Sequence, residues 1–255
     1  MNNEELSKQQ FGKVADKYVT SRIHSDKEDL DFIVYFINPN KSWSMLDIAT
    51  GTGHLAHKLA PEVSKVIASD ITQEMLTKTA EIAIEKKITN LSTQSIDAHE
   101  IPFEANSFDL VTSRIAPHHF SDINKAIKNM ISVTKQGGYI FIQDTKAPEE
   151  AQAAKFINKI EKLRDKSHLQ TYSKLQWMKF FEGNDCTIEK MHVKTKVWPL
   201  GWWTERMNTP EQDINAIISL IEENHHKYTS ETTYHQEENE WIITTQNIYV
   251  LARKN

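Results

Sequence analysis

The sequence predicts an α/β fold built on a mostly parallel, doubly wound sheet. Three observations carry it. Short apolar runs alternate with segments of helical periodicity. The first run opens into a turn containing Gly51 and Gly53. Acids stand at the ends of later runs, at Asp70, Asp97 and Asp144. With 255 residues the chain accommodates one such domain with additions.

Composition narrows the function. A net charge of −5 supplies no general attraction for a phosphate backbone, so nucleic acid is disfavoured as a partner. Cys186 is the only cysteine, which excludes an intramolecular disulfide and a cysteine metal cluster. No signal-peptide core is visible, and no apolar run approaches the ~20 residues of a membrane span. A cytoplasmic protein without membrane insertion is expected.

Two helices are expected before the first strand. Phe11, Val14, Ala15, Tyr18 and Val19 share one helical face, and Leu30, Ile33, Val34 and Ile37 form a second stripe ended by Pro39. Met45, Leu46 and Ile48 then make a strand, and the two glycines can take positive φ and bring backbone against a ligand. Leu55, Ala56 and Leu59 recur at helical spacing up to Pro61, so the turn opens onto a helix N-terminus. Gly51-x-Gly53-x-x-Ala56 also fits a dinucleotide fingerprint, but Asp47, four residues before Gly51, would repel a pyrophosphate and attract a cationic ligand.

Residues 63–69 read as the second strand, ending in Asp70, where a carboxylate can accept from both ribose hydroxyls of an adenosine ligand. Ile71 would cover an adenine face, and Thr72, Gln73 and Glu74 make an N-cap and acidic first turn for a helix reaching Lys86. A third strand is expected over 91–96, ending at Asp97, a good acceptor for an amino group. The next strand, from Phe108, leaves through Pro117-His118-His119-Phe120. A neutral imidazole, with a pKa near ~6.5, can take a proton from an enolic or phenolic nucleophile. The competing reading is that these histidines order a loop. A metal role is disfavoured, since no spaced carboxylate or third histidine lies near them in the sequence.

Ser121 is expected to cap a helix over 122–133, and Gln136-Gly137-Gly138 to turn into a fifth strand ending at Asp144. Helices over 148–166 and 172–181 and a strand over 186–197 follow. Thr209-Pro210-Glu211-Gln212 reads as a capping box with proline at the first helical position, starting a helix to about Glu223. Residues 231–240 read as a solvated turn, and 241–252 as the last strand. Five of the six tryptophans lie beyond residue 176; Trp202, Trp203 and Arg206 are candidates for the wall of a ligand pocket.

The run Asp47-Ile48-Ala49-Thr50-Gly51-Thr52-Gly53 resembles motif I of the class I methyltransferases, Asp-x-Gly-x-Gly-x-Gly, with Ala49 in place of the first glycine. Phe11-Gly12-x-x-Ala15-x-x-Tyr18 is similar to the opening of the quinone C-methyltransferases, in which this helix lies over the cofactor. The segments around Asp97-Ala98, Ile101-Pro102-Phe103 and Phe108-Asp109-Leu110-Val111 extend the likeness to about Asp144. The resemblance implies a Rossmann-like, seven-stranded, mostly parallel doubly wound sheet with N-terminal helices and a helical insertion before the last strand. As one domain of 1–255, it divides into a lid at 1–40, a core at 41–198 and 241–255, and an insertion at 199–240.

The cofactor implied is S-adenosyl-L-methionine, whose ammonium and sulfonium suit Asp47, with S-adenosyl-L-homocysteine as product. Asp70 matches the ribose acid, and Asp97 the acceptor of the adenine amino group. The same likeness carries cofactor contacts onto Tyr18, Ala49, Thr50, Gly51 and Gly53, and onto Ile71, Met75, Ala98, Ser113 and Arg114. The expected reaction is methyl transfer to carbon or oxygen of a small, apolar or aromatic acceptor, with His118 or His119 as candidate base. The Asn-Pro-Pro-Tyr run of amino-group methylases is absent, which disfavours RNA methylation. A protein that holds the cofactor without turnover remains compatible with these residues, and a nicotinamide oxidoreductase is weakened by Asp47.

Overall fold

The computed structural model describes residues 4–6, 8, 26–224, 226–227, 233–238 and 240–255. The helix expected over 11–19, with Tyr18, lies outside the described residues. The described chain opens with α1 (Lys27–Ile37), β1 (Ser44–Ile48), α2 (His54–Leu59), β2 (Lys65–Asp70), α3 (Gln73–Glu85) and β3 (Leu91–Ser95). It continues through β4 (Phe108–Arg114), α4 (Ile123–Val133), β5 (Thr134–Thr145), α5 (Ala151–Arg164), α6 (Lys174–Glu182) and β6 (Cys186–Pro199). Last come α7 (Leu200–Glu205), α8 (Glu211–Asn224), β7 (Thr233–Glu237) and β8 (Glu240–Lys254).

The sheet runs β3-β2-β1-β4-β5-β8-β6, with β7 paired to β8. The first five strands pair in parallel, whereas β8 is antiparallel to β5, β6 and β7. This is the expected Rossmann-like sheet with one strand more. Residues 233–237, expected within a turn, pair with β8; of the side chains from 234 to 237 only Tyr234 is buried, so the segment carries almost no apolar signal.

Alternation along the strands fills both faces of the sheet. Leu46, Ile48, Val111, Ile140, Ile142 and Val250 pack with α4 and α6. Met45, Leu110, Phe141, Tyr249 and Leu251 pack with Leu30, Ile33, Phe36 and Ile37 of α1 and with Leu55 and Leu59 of α2. A third cluster joins Phe156, Ile157 and Ile160 of α5 to Trp203, Ile217, Ile221, Tyr234 and Ile243, so α7 and α8 pack against α5 and β8 rather than on a core of their own.

Two caps differ from expectation. Helix α4 is capped by Asp122, whose carboxylate accepts from the Lys125 amide at 3.0 Å, while the Ser121 hydroxyl donates to Glu4. Thr72 occupies the N-cap position of α3 without a side-chain cap bond; its amide donates to Asp70 instead. No described helix is long and apolar enough to cross a membrane.

Candidate functional site

Strands β2, β1 and β4 end at one edge of the sheet, where their following loops border a cleft of about 990 Å³, open solvent space included. Asp47 forms its floor. Its carboxylate is buried and accepts from the Thr50 hydroxyl at 2.6 Å and the Thr112 hydroxyl at 2.5 Å, and burial pushes its pKa up to about 6. Ala49 and Gly51 both take positive φ, 55° and 58°, turning the chain out of β1. A Cβ on Gly51 would meet no atom within 4 Å, so the backbone there faces open space. Gly53, at φ 79°, caps α2, and a Cβ there would run into His57 and Thr79 at 2.7 Å.

Asp70 ties the two adjacent turns together. Its carboxylate accepts from the Gly51 amide and the Thr72 amide, each at 2.9 Å. Burial raises its pKa against the pull of these backbone donors. Asp97, on the third turn, accepts from the His99 amide at 2.8 Å and is paired with the His99 ring at 2.6 Å.

The cleft gathers Asp47, Ala49, Thr50, Gly51, Asp70 and Ile71 from the expected contacts, with Met75, Asp97, Ala98 and Arg114. Two expected contacts fall outside the cleft lining. Gly53 does not border the cleft, because it is turned into packing against His57 and Thr79. Ser113 is fully buried, and its hydroxyl has no hydrogen-bond partner among the described residues. Tyr18 is not among the described residues.

Beside the cleft lies a second cavity of about 660 Å³, again counting open space, with Trp198, Trp203 and Arg206 in its wall. Ile115 and His119 line both spaces. Ile115 takes a φ of 53°, a strained conformation for a β-branched residue, where its amide bonds the Gln143 carbonyl at 2.7 Å. Trp202, expected in this wall, stacks on Trp198 at 5.2 Å under the Arg206 guanidinium.

His118 faces the second cavity only. Asp144, at the end of β5, grips it twice, at ring Nδ1 over 2.6 Å and at the peptide nitrogen over 2.9 Å. Burial, the largest single influence, disfavours the imidazolium, but the charge and hydrogen bond of Asp144 together with the carboxylates of Glu161 and Asp165 outweigh it, so the pKa is raised. His119 behaves oppositely: burial and the neighbouring His118 push it down to about 4.

Sequence reasoning misses the partners of this pair. Asp144 is legible there only as a strand end, and the third histidine, absent near the pair in the sequence, arrives from 50 residues on. His168 brings its ring to 5.4 Å from that of His118. With it come Glu161, Arg164, Asp165 and Ser167, of which Arg164 lies over the Trp203 ring at 4.4 Å. The crowding of polar residues at the end of α5 is the available signal. Among the described residues, no group of three or more histidine, cysteine, aspartate or glutamate side chains is disposed to hold a metal ion.

The family model described as a methyltransferase domain matches residues 39–209. The uncharacterized methyltransferase YcgJ of Bacillus subtilis is 32% identical over 211 residues, covering 83% of each chain. Its crystal structure matches with a TM-score of 0.86 over 90% of this chain and 99% of that one. A putative methyltransferase from Bacillus halodurans matches with a TM-score of 0.85 at 29% identity, over 89% of this chain and 99% of that one. The ubiquinone/menaquinone C-methyltransferase UbiE of Rickettsia prowazekii is 33% identical over 153 residues, 54% of this chain and 60% of that protein.

Proposed function

This chain belongs to the methyltransferase-domain family and uses S-adenosylmethionine; from that premise we propose that it methylates a small-molecule acceptor held in the cavity beside the donor cleft. The observation that carries this reading is the shared wall. A ligand filling the cleft and one filling the second cavity meet at Ile115 and His119.

On this reading Asp70 accepts from the ribose hydroxyls, Asp97 from the adenine amino group, and Ile71 and Met75 pack against the ring. Asp47 faces the donor's ammonium. The donor supplies an electrophilic methyl: the acceptor's lone pair forms the new bond while the carbon–sulfur pair returns to sulfur as a neutral thioether. Charge is dispersed in this step, so the protein contributes chiefly positioning. For an oxygen or enolic carbon acceptor, the leaving proton goes to His118 Nε2, since Nδ1 is held by Asp144. On this reading Trp198, Trp203, Arg206 and Met207 supply the acceptor side.

The test supplies S-adenosylmethionine with a tritiated methyl to the protein together with a small-molecule extract or structured RNA. Label in the extract is the expected result. Label in RNA alone would reject the enclosed-acceptor reading, although the −5 net charge speaks against that outcome.

A further inference from the structure

One charged side chain of the acceptor cavity takes no part in methyl or proton transfer. Glu161, Arg164 and Asp165 stand about one helical turn apart at the end of α5, and all three line the cavity. Asp165 is already engaged, its carboxylate accepting from the Ser167 amide at 2.8 Å and from the Ser167 hydroxyl at 2.6 Å. Glu161 lies 3.1 Å from Arg164 Nη2. Arg164 is served less completely. Its guanidinium lies over the Trp203 ring at 4.4 Å, and its side chain is only 14% exposed. Its Nε is buried and has no hydrogen-bond partner among the described residues.

A buried donor left without an acceptor costs stability, and more so when it belongs to a charged group. A partner that arrives with the substrate accounts for the open position. Arg164 lines this cavity and not the donor cleft, so the group it holds stands away from the sulfonium. The buried carboxylates of Glu161 and Asp165 beside it disfavour a doubly charged phosphate. A carboxylate matches the guanidinium fork with a single charge. Ile115, Trp198, Trp203 and Met207 give the same wall an apolar side for the rest of the molecule.

We infer that the acceptor is an enol or phenol that also carries a carboxylate, and that Arg164 binds this carboxylate while the hydroxyl faces His118. This rests on the acceptor-cavity reading and deepens it by naming the substrate class. The carboxylate is not the methylated group. The enolic carbon or the oxygen takes the methyl in place of the proton that passes to His118, so the product keeps the carboxylate and its negative charge.

That charge gives the test. The products of the tritiated-methyl reaction with a small-molecule extract are passed over an anion exchanger at neutral pH, where the cationic donor is not retained. Label should be retained, and phosphatase treatment should leave it so. Arg164→Gln should lower transfer into the retained fraction about tenfold at limiting extract and much less at saturating extract, with S-adenosylhomocysteine affinity within about twofold of the wild type. Arg164→Lys keeps the charge but loses the fork and Nε, and should recover part of the loss. Should Glu161, left unpaired, unfold the glutamine variant, the charge-neutral pair Glu161→Gln with Arg164→Gln replaces it. Label found only in unretained products, or released from the exchanger by phosphatase, overturns the carboxylate while leaving the acceptor-cavity reading in place. Undiminished transfer by a folded variant overturns the assignment of Arg164. No label in any small-molecule fraction would remove the acceptor-cavity reading itself, and this inference with it.

Discussion

The cleft and the cavity beside it are built on different physical plans. The cleft is made of turns that follow successive strands, and its carboxylates at Asp47, Asp70 and Asp97 are satisfied by hydroxyl, ring or backbone donors of those turns and, for Asp47, by the Thr112 hydroxyl of β4. The cavity places ionisable groups side by side, the adjacent His118 and His119 meeting Glu161, Arg164 and Asp165 from a separate part of the chain. The first plan presents fixed dipoles to a constant ligand. The second sets pKa values apart in neighbouring side chains, an arrangement suited to moving a proton.

That contrast breaks most sharply at His118. His118→Ala should lower turnover about a hundredfold or more while S-adenosylhomocysteine affinity stays within about twofold. In the wild type the rate should rise with pH through a midpoint above the ordinary histidine value, because Asp144 raises the pKa and only the neutral ring accepts a proton. Asp144→Asn should move that midpoint down. A flat profile with full turnover would make the pair structural. Asp70→Ala tests the other plan: calorimetry should show donor affinity reduced about tenfold, since hydrogen bonds to a charged group contribute about 1.5–3 kcal/mol, and equal binding by a folded variant would remove Asp70 from the ribose role.

Asp47 sharpens the comparison through stability. Its folded pKa of about 6 lies above its ordinary 3.8, so the fold favours the protonated form. The stability it contributes is full below about 3.8 and is lost as pH rises through about 6. Asp47→Asn should therefore melt a few degrees above the wild type at pH 8, gain less at pH 4, and bind the donor more weakly. A melting gain that does not depend on pH would contradict the shift. The smallest effect separates two neighbouring caps: Asp122→Ala should cost about 1 kcal/mol in denaturant unfolding, whereas Ser121→Ala should stay within about 0.5 kcal/mol. Equal losses would restore the serine as the cap.

The two plans also explain what a sequence can disclose. The cleft is legible because its groups sit within a few residues of one another, as Asp47, Gly51 and Gly53 do, and because Asp70 and Asp97 stand at the ends of predicted strands. Gly53 reads as a ligand contact yet serves α2, since positive φ is needed for either task and a sequence does not say which. The cavity is half legible. His118 and His119 are adjacent, but Asp144 and His168 join them only once β5 lies beside β4 and the segment after α5 folds back. Residues 233–237 escape because their strand lies off the main path of the sheet and, from 234 to 237, buries only Tyr234.

The ladder between β6 and β8 carries a further consequence. Pro199 pairs with Ile242, so the two ends of the segment between them stand one strand spacing apart, roughly 5 Å. The same strand β8 takes Thr245 and Asn247 to the cavity wall and Tyr249 to Asp29 of α1 and Gln143 of β5. The segment is therefore a cassette: exchanged whole, it keeps both ends anchored and leaves the donor half untouched. On the proposed reading, a lineage that replaced it would change the acceptor range while the donor cleft passed down unchanged.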